Sequence, residues 1–116
     1  MKDNKLIAEF MGLPTEVFKP SRITNYYHRE YNSGTWYEEH ELSYNVSWNW
    51  LMPVVDKIES LGYSYDRINA DVFINNQNGE NVIPNPMDEN TMTMIEKTYY
   101  VVGEFIKQYN DEQNKA

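Results

Sequence analysis

Apolar positions recur at helical spacing in the middle of the chain, between Ser47 and Gly62. One face of this segment carries Leu51, Val54, Val55, Ile58 and Leu61. Ser47 can cap the first turn and Gly62 is placed to end the last one. Pro53 lies too far in to be a first-turn proline, which predicts a kink or a loose first turn. The pattern predicts a central helix with one buried face.

Apolar residues also recur at helical spacing near both ends of the chain. Residues 4–11 predict a short first helix, which the pair Asp3-Asn4 can cap. A long last helix is predicted after Asp88, and Gly103 within it would permit a close helix contact. Its apolar face would consist of Ile95, Tyr99, Val102, Ile106 and Tyr109, widened by Met92, Thr98 and Phe105.

Strand signals occupy the part before the central helix. Residues 22–31 and 35–45 are rich in Tyr, Thr, Ile, Val and Trp and flank Asn32-Ser33-Gly34, which predicts a hairpin. Two prolines in residues 14–20 predict an irregular connector, with Val17 and Phe18 packed against the body.

A second strand region follows the central helix. Apolar and polar residues alternate from Tyr65 to Asn75, which predicts one strand. Its core face would carry Ile68, Ala70, Val72 and Ile74. A tight turn at 76–79 would lead into a short partner strand at 80–83.

These elements predict an α+β fold. A small antiparallel sheet of two to four strands would be packed by the central and C-terminal helices, in an α/β/α-type sandwich. The 116 residues show no linker and no internal repeat. Residues 1–116 are therefore expected to form a single domain, with a frayed polar tail at 111–116.

Composition narrows the function classes. Eighteen Asp and Glu against ten Lys and Arg give a net charge of −8, which disfavours generic nucleic-acid or anionic-lipid binding and favours a basic partner. The chain has no cysteine, which excludes disulfides and thiolate metal sites. No apolar run has the length of a membrane span or the form of a signal-peptide core, so a cytoplasmic protein is expected.

Three strings carry a resemblance to a known family, and the Trp-Asn-Trp-Leu-Met-Pro part of the second is uncommon. They read Asn-Lys-Leu-Ile-Ala-Glu-Phe-Met-Gly at 4–12, Ser-Trp-Asn-Trp-Leu-Met-Pro-Val-Val-Asp-Lys-Ile-Glu at 47–59, and Val-Val-Gly-Glu-Phe-Ile-Lys-Gln-Tyr-Asn at 101–110. Together they resemble the phage ABA sandwich domain family of small phage and prophage proteins. The resemblance implies helices on both faces of a small sheet and implies no known activity. Residues 22–45 depart from the short-loop members and form a family-variable insert, where a function particular to this chain is expected.

The insert concentrates aromatic and acidic side chains of the kind that form protein interfaces. The candidate partner-binding residues are Tyr26, Tyr27, Tyr31, Trp36, Tyr37, Glu38 and Glu39. Packing of the aromatic rings in the core is the alternative. Scattered acids could also imitate the phosphates of DNA or serve only solubility: Glu38, Glu39, Glu41, Asp88 and Glu89.

Both histidines lie in the insert. If residues 32–34 form the loop, position 28 pairs with 38 and position 26 with 40. One face would then hold His28, Glu30, Glu38 and His40, a set that could bind Zn²⁺ or Mn²⁺. A register shift of one residue would separate the set, and a solvated hairpin with charged edges is the alternative.

The chain has none of the common phosphate-binding, acyl-transfer or zinc-protease strings, so an enzyme is not favoured and no cofactor is expected. We expect a non-catalytic phage or prophage accessory protein that binds a host or phage protein, with inhibition of a host defence as one role. One alternative is a small enzyme or ligand-sequestering protein with a metal or nucleotide pocket near 26–41. Another is a structural or self-associating virion-linked component, and a homo-oligomer stays open.

Overall fold

The computed structural model describes residues 3–30, 33–86 and 91–115, without the side chain of Glu30. Within these ranges the elements are α1 (Asn4–Phe10), β1 (Thr15–Phe18), β2 (Ile23–Glu30), β3 (Ser33–Glu38), a 3₁₀ turn (Glu39–Glu41), α2 (Trp48–Ser60), β4 (Ser64–Ile68), β5 (Asp71–Asn75), β6 (Asn81–Ile83) and α3 (Met94–Asn114). Both sheets are antiparallel, with strand orders β1-β2-β3 and β4-β5-β6. The fold is α+β as predicted, although two sheets of three strands stand where one sheet of two to four was expected.

Helix α2 confirms the predicted central helix. Its first backbone hydrogen bonds run from the N–H groups of Trp50 and Leu51 to the carbonyl of Ser47. The chain leaves the helix through Gly62, whose φ of +98° favours glycine. Pro53 lies on the exposed side of the helix. The backbone N–H that it lacks would have donated to the carbonyl of Asn49, which is also an exposed residue. The buried face of α2 is Trp50, Leu51, Val54, Val55 and Ile58.

Helix α3 begins later than predicted. The hydroxyl of Thr93 accepts from the Glu96 N–H at 3.3 Å, and the Glu96 carboxylate accepts from the Thr93 N–H at 2.8 Å. This reciprocal cap replaces the predicted cap at Asp88, which itself lies outside the described residues. The helix continues to Asn114, through most of the segment that was expected to fray.

The core lies between α1, α2, α3 and the second sheet. Its fully buried members include Ile7, Leu51, Val54, Ile58, Val72, Ile74, Val102 and Ile106. Gly103 of α3 lies against the side chain of Asp3, the residue before α1, because a Cβ atom at Gly103 would lie 2.4 Å from a carboxylate oxygen of Asp3. The predicted close contact at Gly103 is thus confirmed.

Two predicted segments differ from the structure. The connector contains strand β1, and its Val17 and Phe18 are 52% and 38% exposed instead of packed. The single strand predicted from 65 to 75 is a β4–β5 hairpin, because Asn69 adopts a left-handed conformation with φ +57°. Val72 and Ile74 are buried as predicted, whereas Ile68 is exposed.

The molecule is elongated. Its principal extents are 47 × 37 × 27 Å and its radius of gyration is 15.1 Å, against about 13 Å for a compact chain of this length. Within the described residues, the inner face of the first sheet turns the buried Tyr26 to the body, whereas Phe18, Ile23 and Trp36 on the outer face are exposed.

Candidate functional site

The pairing of β2 with β3 sets which side chains share a face. Tyr27 pairs with Trp36, His28 with Thr35 and Glu30 with Ser33. The predicted register is wrong by three residues, because β3 begins at Ser33 and the connection is shorter than the assumed loop at 32–34. A register shift by an odd number of residues reverses which side chains of the two strands share a face.

The predicted metal set is consequently not assembled. His28 lies on the inner face of the sheet, whereas Glu38 pairs with Asn25 on the outer face. His40 belongs to the 3₁₀ turn that follows β3. The backbone of Glu30 shares the face of His28, but the side chain of Glu30 lies outside the described part of the chain. The separation of His28 from Glu38 overturns the four-residue site.

The inner face is an aromatic cluster built on Trp50. The ring of His28 stacks on Trp50 with centroids 3.5 Å apart, and Tyr37 and Tyr44 each meet Trp50 edge-on at 5.2 Å. Tyr26, on the same face, is 3% exposed. The core-packing alternative therefore describes Tyr26 and Tyr37, two of the residues predicted to bind a partner.

Tyr44 is the most deeply buried ring of this cluster, with 1% of its surface exposed. Its hydroxyl has no hydrogen-bond partner among the residues that the structure describes. Burial in this apolar environment raises the pKa of Tyr44 above its usual value. The hydroxyl is neutral at physiological pH, and the cluster has a structural role.

The outer face carries a contiguous aromatic surface, which we call the outer aromatic patch: Phe18, Ile23, Tyr27 and Trp36. The ring of Trp36 lies 5.6 Å from that of Phe18 and 5.2 Å from that of Tyr27. Phe18, Ile23 and Trp36 are 38%, 44% and 36% exposed. Of the predicted partner-binding residues, the patch contains Tyr27 and Trp36, while Tyr31 lies outside the described residues.

Two local features hold the patch in place. Asn25 on the central strand lies in register between the ends of the patch, and it is only 7% exposed, which indicates that the large side chains on this face cover it. Tyr27 lies over Gly34, since a Cβ atom there would be 2.2 Å from the Tyr27 hydroxyl oxygen. A glycine beneath an aromatic ring lets the ring lie flat on the sheet.

Carboxylates border the patch. Glu16 of β1 and Glu38 of β3 stand on either side of Asn25 on the outer face. Arg29 follows at the other end, beyond Tyr27 on the same strand face. The apolar surface is thus bordered by acid on both edge strands and by one guanidinium at its end.

A cleft of about 470 Å³ opens between α1 and the first sheet. Helix α1 contributes Lys5 and Glu9, and the sheet with its 3₁₀ turn contributes Tyr26, Glu38, Glu39 and His40. We call this the acidic cleft, because its wall carries three carboxylates against one ammonium. It unites Tyr26, Glu38 and Glu39 from the predicted interface with His40 from the predicted metal set. No pattern along the chain had indicated Lys5 and Glu9, which only the fold brings to the cleft.

Glu38, His40 and Glu41 offer ligand atoms within 4.8 Å of one another. Two of these side chains already have a structural role. The N–H of Glu38 donates to the Glu41 carboxylate at 2.9 Å, and the Glu38 carboxylate accepts from the backbone of Glu41. This pair forms the cap of the 3₁₀ turn, which accounts for the cluster without an ion.

Among the helices that the structure describes, none is long and apolar enough to cross a membrane. Comparisons with models of protein families, with curated proteins and with solved structures found no match. The resemblance to the phage ABA sandwich domain family therefore stays a prediction.

Proposed function

We propose that this chain is a non-catalytic phage or prophage accessory protein that binds a host or phage protein through the outer face of its first sheet. The proposed origin depends on the resemblance of residues 4–12, 47–59 and 101–110 to a phage family. The proposed mode of binding depends on the outer aromatic patch.

The observation that carries the proposal is the contact of Trp36 with Phe18 and Tyr27 on a sheet face that is exposed within the described part of the chain. Exposed apolar groups in contact with one another form a surface that gains free energy when a partner removes it from water. Trp and Tyr are also the residues most enriched among interface hot spots. The inner aromatic rings cannot serve this purpose, because the core already covers them.

Charge complementarity points to a basic partner. The chain carries a net charge of −8, and Glu16 and Glu38 border the patch on both edge strands. Such a field accelerates association with a basic surface and weakens as salt is added. If the partner is a host defence protein and the surface that this chain covers includes that protein's own binding site, the complex would inhibit it.

The test compares two tryptophans of equal exposure. Trp36 on the patch and Trp48 at the start of α2 are 36% and 37% exposed, so Trp36→Ala and Trp48→Ala remove the same chemistry from different places. The wild-type chain and both variants are used as bait in lysate of the bacterial host, with quantitative mass spectrometry. We expect a stoichiometric basic partner that Trp48→Ala retains and Trp36→Ala loses.

Two results would contradict the proposal. A partner that Trp36→Ala retains at wild-type stoichiometry must bind elsewhere. A wild-type dimer in sedimentation that dissociates in Trp36→Ala would make the patch a self-association surface, as the virion-linked alternative requires.

A further inference from the structure

We infer that the acidic cleft recognises the guanidinium of an arginine side chain, which the partner inserts while its apolar surface covers the outer aromatic patch. This inference rests on the proposed function for a partner protein that covers the outer aromatic patch. It adds the chemistry of the contact.

The first support is the state of the carboxylates. The side chains of Glu9 and Glu39 form no hydrogen bond or ion pair within the described part of the chain. Lys5 shares the wall, yet no carboxylate in the same ranges comes within ion-pair distance of its ammonium. Two acids from separate elements therefore face the cleft with their oxygen atoms available to a cation.

The second, independent support is Tyr26. The residue is 3% exposed and lines the cleft, but its hydroxyl has no hydrogen-bond partner among the described residues. Burial raises the pKa of Tyr26, and the nearby charges of Glu39 and Glu9 raise it further. The hydroxyl is thus neutral and close to both acids, and an incoming N–H donor would give it a hydrogen bond that no described residue supplies.

The number and arrangement of acceptors favour arginine. The cleft is lined by carboxylates on α1 and on the 3₁₀ turn and by the Tyr26 hydroxyl, so its acceptors come from three separate elements. A guanidinium has five N–H donors in a planar fork and can bond several of them at once. An anionic ligand would meet three carboxylates, so phosphates and nucleotides are excluded from the cleft by charge.

The cleft and the outer aromatic patch form one surface. Ile23 belongs to the patch and also lines the cleft, and Glu38 stands on the outer face and at the cleft wall. A single partner segment can therefore place an apolar side chain on Trp36 and a basic side chain beside Tyr26.

The test uses a defined peptide in place of the partner. Acetyl-Gly-Arg-Gly-Arg-Gly-amide is titrated into the full chain by calorimetry and by ¹H–¹⁵N NMR, and the citrulline peptide serves as the uncharged ligand control. The variant Glu9→Gln with Glu39→Gln removes two charges from the cleft. Its matched control, Glu80→Gln with Glu112→Gln, removes two charges from exposed positions elsewhere. Tyr26→Phe deletes only the hydroxyl.

We expect saturable binding of the arginine peptide, with chemical-shift changes centred on Lys5, Glu9, Tyr26 and Glu39. Affinity should fall about five- to tenfold in the cleft variant and less than about twofold in the matched control. Tyr26→Phe should weaken binding while circular dichroism stays unchanged.

Three results would overturn the inference: no saturable binding at about 1 mM peptide, equal loss in both charge variants, or equal binding of the citrulline peptide. Because no lysate enters this assay, its failure leaves the comparison of Trp36→Ala with Trp48→Ala intact. Likewise, binding of the arginine peptide to the cleft would stand even if the two tryptophan variants retained the same partner from lysate.

Discussion

The imidazole of His28 lies flat on the indole of Trp50, with ring centroids 3.5 Å apart and planes inclined by 7°. This contact joins the middle strand of the first sheet to the first turn of α2. Tyr37 and Tyr44 pack edge-on against the same indole, which is the geometry that aromatic pairs prefer. One tryptophan therefore anchors His28 and Tyr37 of the inner face to α2.

Removal of this anchor should destabilise the fold. Trp50 is 5% exposed, so Trp50→Ala should lower the free energy of unfolding by about 3–5 kcal/mol, the range for large aromatic residues in cores. Trp48→Ala, at a half-exposed position two residues earlier, should change it by less than about 1 kcal/mol. Urea denaturation followed by circular dichroism measures both, and equal losses would show that Trp50 is not the anchor.

Trp36 and Tyr37 are neighbours with opposite roles. Tyr37 contacts Trp50 and His28 on the inner face, whereas Trp36 belongs to the outer aromatic patch. Tyr37→Ala should cost about 1–3 kcal/mol of stability, because this ring is only partly buried. Trp36→Ala should cost about 1 kcal/mol or less and act on partner binding instead. A larger loss of stability for Trp36→Ala than for Tyr37→Ala in chemical denaturation would mean that Trp36 lies on the inner face and Tyr37 on the outer face.

Local signals predicted some elements and not others. For α2 the apolar stripe and Gly62 lie within the segment and place the helix, although the Ser47 side chain makes no cap hydrogen bond at its start. The β4–β5 turn was missed because Asn69 and Ala70 continue the alternation of polar and apolar residues across the reversal. The cap of α3 was misplaced because Asp88 and Thr93 are both good cap residues, and the reciprocal bond to Glu96 decides between them.

The candidate site depends on long-range geometry. The length of the connection between β2 and β3 decides the register, and the register decides whether His28 and Glu38 share a face. The composition of the insert marked a region rich in aromatic rings, yet it could not separate the exposed Trp36 from Tyr37 on the inner face. Glu9 reaches the cleft from α1, far from Glu39 in sequence, and no pattern along the chain connects the two.

Alkaline pH should destabilise the protein through Tyr99. Its hydroxyl donates to Oδ1 of the buried Asn4 at 3.0 Å and accepts from the Asp3 N–H at 3.0 Å. Burial is the main cause that raises the pKa of Tyr99 to about 12. Below about pH 10 both the folded and the unfolded chain keep this proton, so stability does not change. Between about pH 10 and pH 12 the unfolded chain ionises first, and the free energy of unfolding falls as pH rises.

The measurement is the urea midpoint from about pH 8 to pH 12, for wild type, Tyr99→Phe and Tyr100→Phe. Tyr99→Phe should be less stable at neutral pH, by about 1–3 kcal/mol, because Asn4 loses its buried partner. It should also lose stability less steeply above pH 10. Tyr100, the neighbouring residue, is 41% exposed, so Tyr100→Phe should keep the wild-type profile. Identical alkaline slopes for wild type and Tyr99→Phe would refute this assignment.

Gly34 gives a way to disturb the outer aromatic patch without deleting a ring. A methyl group at Gly34 would lie 2.2 Å from the Tyr27 hydroxyl oxygen, so Gly34→Ala must push the end of that side chain away. Since Tyr27 packs on Trp36 at 5.2 Å, the displacement should change the indole environment and weaken binding of the basic partner about tenfold, as expected when a hot spot is disturbed. In a Trp48→Phe background the remaining tryptophans are the exposed Trp36 and the buried Trp50, so the solvent-exposed part of the fluorescence reports on Trp36. Gly79→Ala is unsuitable as a control because that residue has φ +78°. The matched comparison is Tyr27→Ala: if steric displacement of Tyr27 is the cause, adding Gly34→Ala to Tyr27→Ala should produce no further loss of affinity, and an additive loss would show that Gly34 acts independently of that ring.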